Sequence, residues 1–177
     1  DRAMAPDPTA LSHLQGELKT NFDVVIVDMP RQSLPNYGYL LQQMNEILLV
    51  VDLSLCAARD TIRILSFLKE FAPEAKVRIV ANKVTSGDTG EVSKADFENS
   101  VEAKIDFTLP SDPKTVVMAA KKGKAIPQIA GSSKLSTQLR ALTTLIVGEE
   151  DGVSKGSFWA KINGLLGSKA NKEAKTK

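Results

Sequence analysis

The sequence predicts an α/β fold in which helices cover both faces of a mostly parallel sheet. Short apolar runs alternate along the chain with segments whose apolar residues recur at helical spacing. These runs are continuous rather than alternating with polar residues, a pattern typical of parallel strands buried on both faces. With 177 residues, 42% of them hydrophobic, the chain is long enough for one domain with a substantial core.

Each apolar run predicts one strand. The strands are FDVVIVD (22–28), EILLVVDLS (46–54), AKVRIVANKV (75–84) and AKIDFTLP (103–110). Helices are predicted over 9–19, 35–44, 56–71, from Ser93 onward, over 113–124 and over 132–148. The alternation of strands and helices is the pattern of parallel strands joined by crossover helices.

The helix ends carry recognisable signals. Asp7 or Thr9 is expected to cap the first helix, in which Leu11, Leu14 and Leu18 recur at helical spacing. Ser93 precedes Asp96 by three residues, a variant of the capping box. Pro73 closes the helix over 56–71, Gly123 and Gly148 stop two later helices, and 86–90 reads as a loop.

Charge divides the chain into a mildly acidic body and a basic tail. Residues 155–177 hold six lysines and one acid, a net charge of +5, so the first 154 residues carry −3 of the overall +2. A body of this charge argues against a nucleic-acid-binding domain.

No apolar run approaches the ~18 residues that indicate a membrane span. Cys56 is the single cysteine, which fits a reducing cytoplasm.

Three predicted strands end on unusual polar residues. Asp28 is followed by Met, Pro30 and Arg31, the next end carries Asn82 and Lys83, and the last carries Pro110, Ser111 and Asp112. In open parallel sheets, ligands bind beyond the carboxyl ends of the strands. One ligand could therefore meet all three ends.

The residue types at these ends suit a nucleotide. A carboxylate such as Asp28 on a strand end can hold Mg²⁺ opposite the phosphates, and an amide such as Asn82 offers a donor and an acceptor to the edge of adenine. Both residues have a simpler interpretation as turn formers. No Gly-x-x-x-x-Gly-Lys-Ser/Thr and no Gly-x-Gly-x-x-Gly occurs in the 177 residues, so the chain lacks a phosphate cradle of its own.

Four segments in order resemble the C-terminal half of the ATPase domain in the MinD/ParA superfamily. They are FDVVIVDMPR, ILLVVDLSLCAARDTIRIL, VRIVANK and LPSDPKTVVMAAKKGKAI. The resemblance covers residues 7–148, and the combination of D-x-P-R with F-x-L-P-x-D-P-K-x-V is most similar to the pilus assembly proteins called CpaE or TadZ. It implies a P-loop NTPase-like fold for residues 1–148, followed by an amphipathic or disordered tail, 149–177.

The resemblance also implies roles for the strand-end residues. Asp28 corresponds to the switch II aspartate that holds magnesium, and Pro30 and Arg31 would report the phosphate state. Asn82, with Lys83 beside it, corresponds to the asparagine that binds adenine. Pro110, Ser111 and Asp112 correspond to the loop that flanks the base. The implied cofactors are ATP or ADP with Mg²⁺.

Two departures from the family pattern bear on activity. Gln32 stands where the MinD-type D-x-P-x-G has a glycine, which puts strong hydrolysis in doubt. By the family's layout, the Walker A motif lies upstream of Asp1. We therefore expect the chain to be the distal part of a longer protein that also includes a receiver-like domain.

The function implied by the resemblance is nucleotide-dependent localisation and assembly of a Tad/Flp-type pilus. The expected protein is a cytoplasmic homodimer that recruits pilus secretion components to a cell pole or the inner membrane, without specific nucleic acid. The pair Arg59-Asp60 matches a pair near the dimer side of the MinD branch. Two alternatives stay open: a non-hydrolysing MinD-like scaffold, and a partition or cell-division ParA-type ATPase.

The tail suggests a membrane contact. Phe158, Trp159, Ile162, Leu165 and Leu166 recur at helical spacing among lysines, which is typical of amphipathic helices on anionic membranes. The alternative is that the aromatic pair docks on the chain's own body or on a partner. Residues 155–177 are thus a predicted site of peripheral membrane contact.

Overall fold

The computed structural model describes residues 7–85 and 92–147. These fall almost wholly within a compact unit, Asp1–Ile146. The predicted loop over 86–90 and the predicted tail lie outside the described residues, and the domain boundary at 148 stays a prediction.

The sheet of the described residues has three parallel strands. They are β1 (Glu46–Val51), β2 (Lys76–Val84) and β3 (Phe107–Pro110), in the order β1-β2-β3. β1 and β2 pair in register from Glu46↔Lys76 to Val51↔Ala81. β2 and β3 pair through Ala81↔Thr108 and, after an irregularity, through Val84↔Pro110.

Seven helices and one 3-10 turn accompany the sheet within the described residues. They are α1 (Pro8–Asn21), the 3-10 turn (Arg31–Ser33), α2 (Leu34–Leu41), α3 (Leu55–Phe71), α4 (Lys94–Val101), α5 (Pro113–Lys122), α6 (Ile126–Ile129) and α7 (Lys134–Val147). α6 has no counterpart among the predicted elements, because its four residues are too few to show a helical period. Tyr37 breaks the helical geometry inside α2.

Side-chain caps begin several helices where the sequence suggested. The Asp7 carboxylate accepts a hydrogen bond from the Thr9 N–H at 3.0 Å, and Asp7 rather than Thr9 is the cap of α1. Ser93 Oγ accepts from the Asp96 N–H at 3.1 Å and donates to the Asp96 carboxylate at 2.6 Å. Gly123 ends α5 in the left-handed conformation, at φ +58°. The cap predictions are confirmed because they depend on neighbours in sequence.

Successive residues of β2 face opposite sides of the sheet and pack into two separate cores. Ile79 and Ala81 belong to the core that α3 and α4 cover, with Phe97 completely buried at its centre. Val80 belongs to the core on the other side, with Leu142 of α7. The burial of both faces of β2 confirms the predicted α/β class.

α2 packs closely on α3. Leu41 and Leu68 share a third core, and the rings of Phe67 and Phe71 stack with centroids 4.2 Å apart. A Cβ added at Gly38 would lie 2.8 Å from Cζ of Phe67. Glycine at position 38 therefore allows the two helices to approach.

A charged cluster joins the amino ends of the three strands. Arg78 of β2 forms an ion pair with Glu46 of β1 and lies 3.9 Å from the Asp106 carboxylate just before β3. Asp106 also accepts a hydrogen bond from the Ile79 N–H at 2.8 Å. The side chains of Arg78 and Glu46 are 11% and 18% exposed and that of Asp106 is 34% exposed, so the cluster is partly buried.

The predicted strand over 22–28 is wrong for the structure described. The segment is extended but forms no strand, and Ile26 is 88% exposed. A strand requires hydrogen-bonded neighbours, and none of the described strands pairs with this segment. Two other strands are shorter than predicted: β1 ends at Val51 and β3 begins at Phe107.

Among the described residues, no helix combines the length and the hydropathy that a membrane span requires.

Candidate functional site

The carboxyl edge of the sheet brings two of the three predicted strand ends together. Val51, Ala81 and Thr108 lie level with one another across the three strands. Asn82 directly follows Ala81, and Pro110 lies opposite Val84. The second and third polar strand ends therefore meet at one edge, as predicted.

A local irregularity shapes the end of β2. Lys83 has φ +57°, which lies in the left-handed region that a residue with a Cβ seldom adopts, and the pairing with β3 shifts between Ala81 and Val84. The Asn82 Oδ1 accepts a hydrogen bond from the Lys83 N–H at 2.9 Å. This bond uses one of the two lone pairs on the amide oxygen of the half-buried Asn82, and the NH₂ group remains a donor.

The end of β3 continues directly into α5. The Ser111 N–H donates to the Val84 carbonyl at 2.9 Å, which holds the two strand ends together. Asp112 is the N-cap of α5, and its carboxylate accepts from the Thr115 N–H at 3.1 Å. The Thr115 hydroxyl and then the Thr115 N–H lower the pKa of Asp112. Asp112 is thus an ionised helix cap that fixes the direction of the loop 110–112.

A depression of about 770 Å³ lies beside these two strand ends. Val84, Thr85 and Pro110 line it on the sheet side, and Lys134 and Gln138 of α7 line it on the other. Its remaining walls are Asp106, Phe107, Thr108, Ser132 and Thr137. The mixture of apolar and hydrogen-bonding groups suits a planar heterocycle with polar edges.

Asp52 was not among the predicted site residues, although it directly follows β1 at this edge. Its Oδ1 accepts a hydrogen bond from the Ser54 hydroxyl at 2.7 Å, and the side chain of Ser54 in turn caps α3 through the Ala57 N–H. The signal was present in the sequence, since the run ILLVV ends on an aspartate just as VVIV does. The prediction extended β1 through Asp52 to residue 54 and so treated it as part of the strand.

The structure does not place Asp28 on the sheet. Asp28 is exposed in the extended segment, and Pro30 precedes the 3-10 turn as its N-cap. Arg31 begins that turn and forms an ion pair with Asp60 on α3, the helix that follows β1. The pair fixes one contact between the Asp28–Arg31 segment and the part of the fold that bears Asp52. Arg59, the residue before Asp60, is exposed.

The carboxylates of Asp28 and Asp52 fit a magnesium ion only if a phosphate supplies some of its other ligands. Within residues 7–85 and 92–147, no three carboxylate, imidazole or thiol side chains converge into a metal site. Mg²⁺ is commonly held by one or two carboxylates, with water and phosphate oxygens in the other positions. Asp28 and Asp52 are exposed carboxylates that could each supply one such ligand.

Comparison with known proteins finds relatives among MinD- and ParA-type proteins. The chain is 24% identical over 171 residues to the septum site-determining protein MinD of Bacillus subtilis, and 27% identical over 166 residues to an uncharacterised ATP-binding protein of Methanocaldococcus jannaschii. Each match covers 90% of this chain and 62% of the relative, so the chain spans less than two thirds of their length. No family model matches the sequence.

Solved structures show the same fold. A ParA family ATPase from Chlorobium tepidum superposes with a TM-score of 0.68 at 24% identity, over 76% of this chain and 55% of that one. The MinD cell division protein of Aquifex aeolicus superposes with a TM-score of 0.68 at 19% identity, over 84% of this chain and 64% of that one. By sequence the chain is similar to a MinD protein and to an ATP-binding protein, and it has the fold of the ParA- and MinD-type structures.

Proposed function

We propose that the chain provides the base-binding and switch portion of a nucleotide-dependent localisation and assembly factor for Tad/Flp-type pili. The observation that carries the proposal is the meeting of Asn82 and Pro110–Asp112 at the carboxyl edge of the sheet, where Pro110 also lines the depression of about 770 Å³. In parallel α/β sheets this edge is where ligands bind. Sequence similarity to an ATP-binding protein supports ATP or ADP as the ligand.

Each strand-end residue has a role in this proposal. The Asn82 NH₂ group donates to a ring nitrogen of adenine, while Lys83 and the loop 110–112 border the base. Asp28 supplies a carboxylate for Mg²⁺ once phosphates are bound. Pro30 and Arg31 transmit the phosphate state to α3 through the Arg31–Asp60 ion pair.

The pilus assignment depends on sequence. The forms D-x-P-R at Asp28–Arg31 and F-x-L-P-x-D-P-K-x-V from Phe107 onward favour the CpaE/TadZ branch over cell-division or partition branches. In this role the protein acts as a homodimer in the cytoplasm, recruits pilus secretion components to a pole, and contacts the inner membrane through 155–177. Two results would support this role: the protein localises to a cell pole, and deletion of its gene abolishes both the polar localisation of the secretion components and pilus production.

Nucleotide binding by the full-length protein tests the base site. Asn82→Ala removes one half-buried donor and is expected to weaken binding of a fluorescent ATP analogue by about 5–30-fold, the equivalent of ~1–2 kcal/mol. Asn99→Ala changes an exposed asparagine of α4 and serves as the matched control. Equal affinities for wild type and Asn82→Ala would remove Asn82 from the proposed site.

A non-hydrolysing scaffold is the second candidate, and Gln32 favours it. Gln32 lies exposed in the 3-10 turn Arg31–Ser33, two residues after Pro30. A side chain there replaces the glycine with which the MinD-type motif lets the backbone approach a γ-phosphate. Tight ATP binding without phosphate release, together with release restored in Gln32→Gly, would identify the scaffold.

A ParA-type partition ATPase is separated from both candidates by DNA binding. The net charge of −3 over the first 154 residues argues against it. A mobility-shift assay at moderate salt would show no DNA complex for a pilus factor.

A further inference from the structure

One face of α5 is exposed, apolar at its centre and basic at its ends. Only Thr115 and Ala119, one turn apart, are buried in this helix. Val117 and Met118 are 51% and 41% exposed. Val117 lies on the side of α5 opposite the buried pair, Met118 lies on the flank next to it, and together they form the centre of the face.

The face has the shape of a groove between two rows of side chains. Pro113, Val117 and Lys121 form one row at four-residue spacing, and Lys114, Met118 and Lys122 form the next. These six residues together line a single surface depression. We call them the α5 groove. Rows at four-residue spacing are the ridges that interdigitate when one helix packs on another.

The charge of the groove differs in sign from that of the surrounding body. Residues 113–124 contain four lysines and no acid, within a 154-residue body whose net charge is −3. The rest of that body therefore carries −7 once these four lysines are set aside. The local positive charge attracts an anionic partner to α5, while the negative charge of the remaining body repels it.

Helix stability explains only part of this charge. Lys121 and Lys122 lie in the last turn of α5, where cations favourably oppose the helix dipole. Lys114 lies in the first turn, where the dipole disfavours a cation and the Asp112 cap offsets it. The exposed Val117 and Met118 gain nothing from either effect.

We propose that the α5 groove is the docking site for an acidic amphipathic helix of a partner protein. The apolar stripe of such a helix packs between Val117 and Met118, and its flanking carboxylates pair with Lys114, Lys121 and Lys122. The chain's own tail does not match, since residues 155–177 carry +5. A nucleic acid would use the lysines and leave the apolar centre uncovered. This surface is independent of the proposed nucleotide site.

The test measures binding of synthetic peptides to the full-length protein by fluorescence anisotropy. The first peptide is helical, with a leucine stripe flanked by glutamates. The comparison peptides keep its composition with the stripe scrambled, or carry lysines in place of the glutamates. Vesicles containing phosphatidylserine and a duplex DNA are tested in parallel, and sedimentation reports self-association.

We expect the stripe-bearing acidic peptide to bind best, and Met118→Ser or Lys121→Glu to weaken it by roughly tenfold or more, as for residues central to an interface. Lys69→Glu, an exposed lysine of α3, is the charge-matched control and should leave binding unchanged. All three positions are exposed, and circular dichroism confirms that each variant folds.

Four results would overturn the proposal. They are equal binding of the scrambled peptide, unchanged binding by both α5 variants, binding to vesicles or DNA that depends on Lys121 while the acidic peptide fails, and self-association that Met118→Ser abolishes.

Discussion

The guanidinium of Arg31 forms an ion pair with the carboxylate of Asp60, with 28 residues between them in the chain. Arg31 follows the extended segment that contains Asp28, and Asp60 lies on α3, which starts just after β1. The side chains of Arg31 and Asp60 are 56% and 32% exposed. The pair therefore orients the segment after Asp28 without being buried in the core.

The solvent exposure of this pair limits its contribution to stability. We expect Asp60→Asn to lower the free energy of unfolding by less than about 1 kcal/mol, because exposed ion pairs are worth little in water. The exchange Arg31→Asp with Asp60→Arg should recover the small loss. Urea unfolding of the wild type, of Arg31→Asp, of Asp60→Arg and of the variant with both changes measures the coupling energy between the two side chains. A coupling well above 1 kcal/mol would show that the pair is shielded from solvent.

The contact between Gly38 and Phe67 predicts opposite effects of alanine at two glycines. Gly38→Ala places a methyl group 2.8 Å from Phe67 Cζ and should destabilise the protein by about 1–3 kcal/mol, the usual cost of overpacking. Gly16→Ala, inside α1 with no atom within 4 Å of the added Cβ, should stabilise it by up to about 1 kcal/mol. Thermal unfolding distinguishes the two, and a neutral Gly38→Ala would contradict the close packing of α2 on α3.

Arg78 links the amino ends of all three strands, and its removal should be costly. Arg78→Met leaves the carboxylates of Glu46 and Asp106 close together without their shared cation. Since breaking a buried pair costs about 3–5 kcal/mol and this cluster is only partly buried, we expect a loss of about 2–4 kcal/mol. Arg63→Met, on the exposed face of α3, is the control and should change stability by less than about 0.5 kcal/mol.

A further variant separates charge from packing at this cluster. Glu46→Gln combined with Arg78→Met removes one of the two carboxylates left without a cation. It should recover part of the loss, and equal instability of the single and double variants would attribute the effect to packing instead.

Glu98 makes stability depend on pH. The Ile105 N–H, at 2.9 Å, is the main cause of its lowered pKa, and the Lys104 ammonium group, at 3.0 Å, adds to it. Because the folded pKa lies below the ordinary value of 4.5, the stabilisation is complete above that value and is lost as the pH falls through the folded pKa.

Denaturation between pH 7 and pH 3 tests this dependence. Glu98→Gln should be less stable than the wild type at neutral pH, and the difference should shrink as the solution becomes acidic. Glu70→Gln, on an exposed position of α3, is the matched control. A difference between wild type and Glu98→Gln that stays constant with pH would assign the effect to geometry rather than to charge.

Local sequence signals were sufficient for most of the fold. β2 was predicted to within one residue, and α3 differs from its prediction only by including Leu55. The caps at Asp7 and Ser93 were also predicted correctly. These features depend on residues a few positions apart, so their physics is contained in the local chain.

The site was predictable in part for a related reason. Asn82 and Pro110 could be assigned to one edge because parallel strands end on the same side of a sheet. Asp52 was missed because the boundary of β1 was set three residues too late. The ion pair of Arg31 with Asp60 had no local signal, since it depends on how α3 packs.

The sequence by itself determined the class of fold, the order of its elements and the polar character of the strand ends. Only the tertiary structure decided that Gln15 rather than Leu14 is buried in α1 and that 22–28 stays outside the three-stranded sheet. The reason is the range of the forces involved. A helix closes its hydrogen bonds within a few residues, whereas a strand and a buried face exist only when distant segments supply their partners.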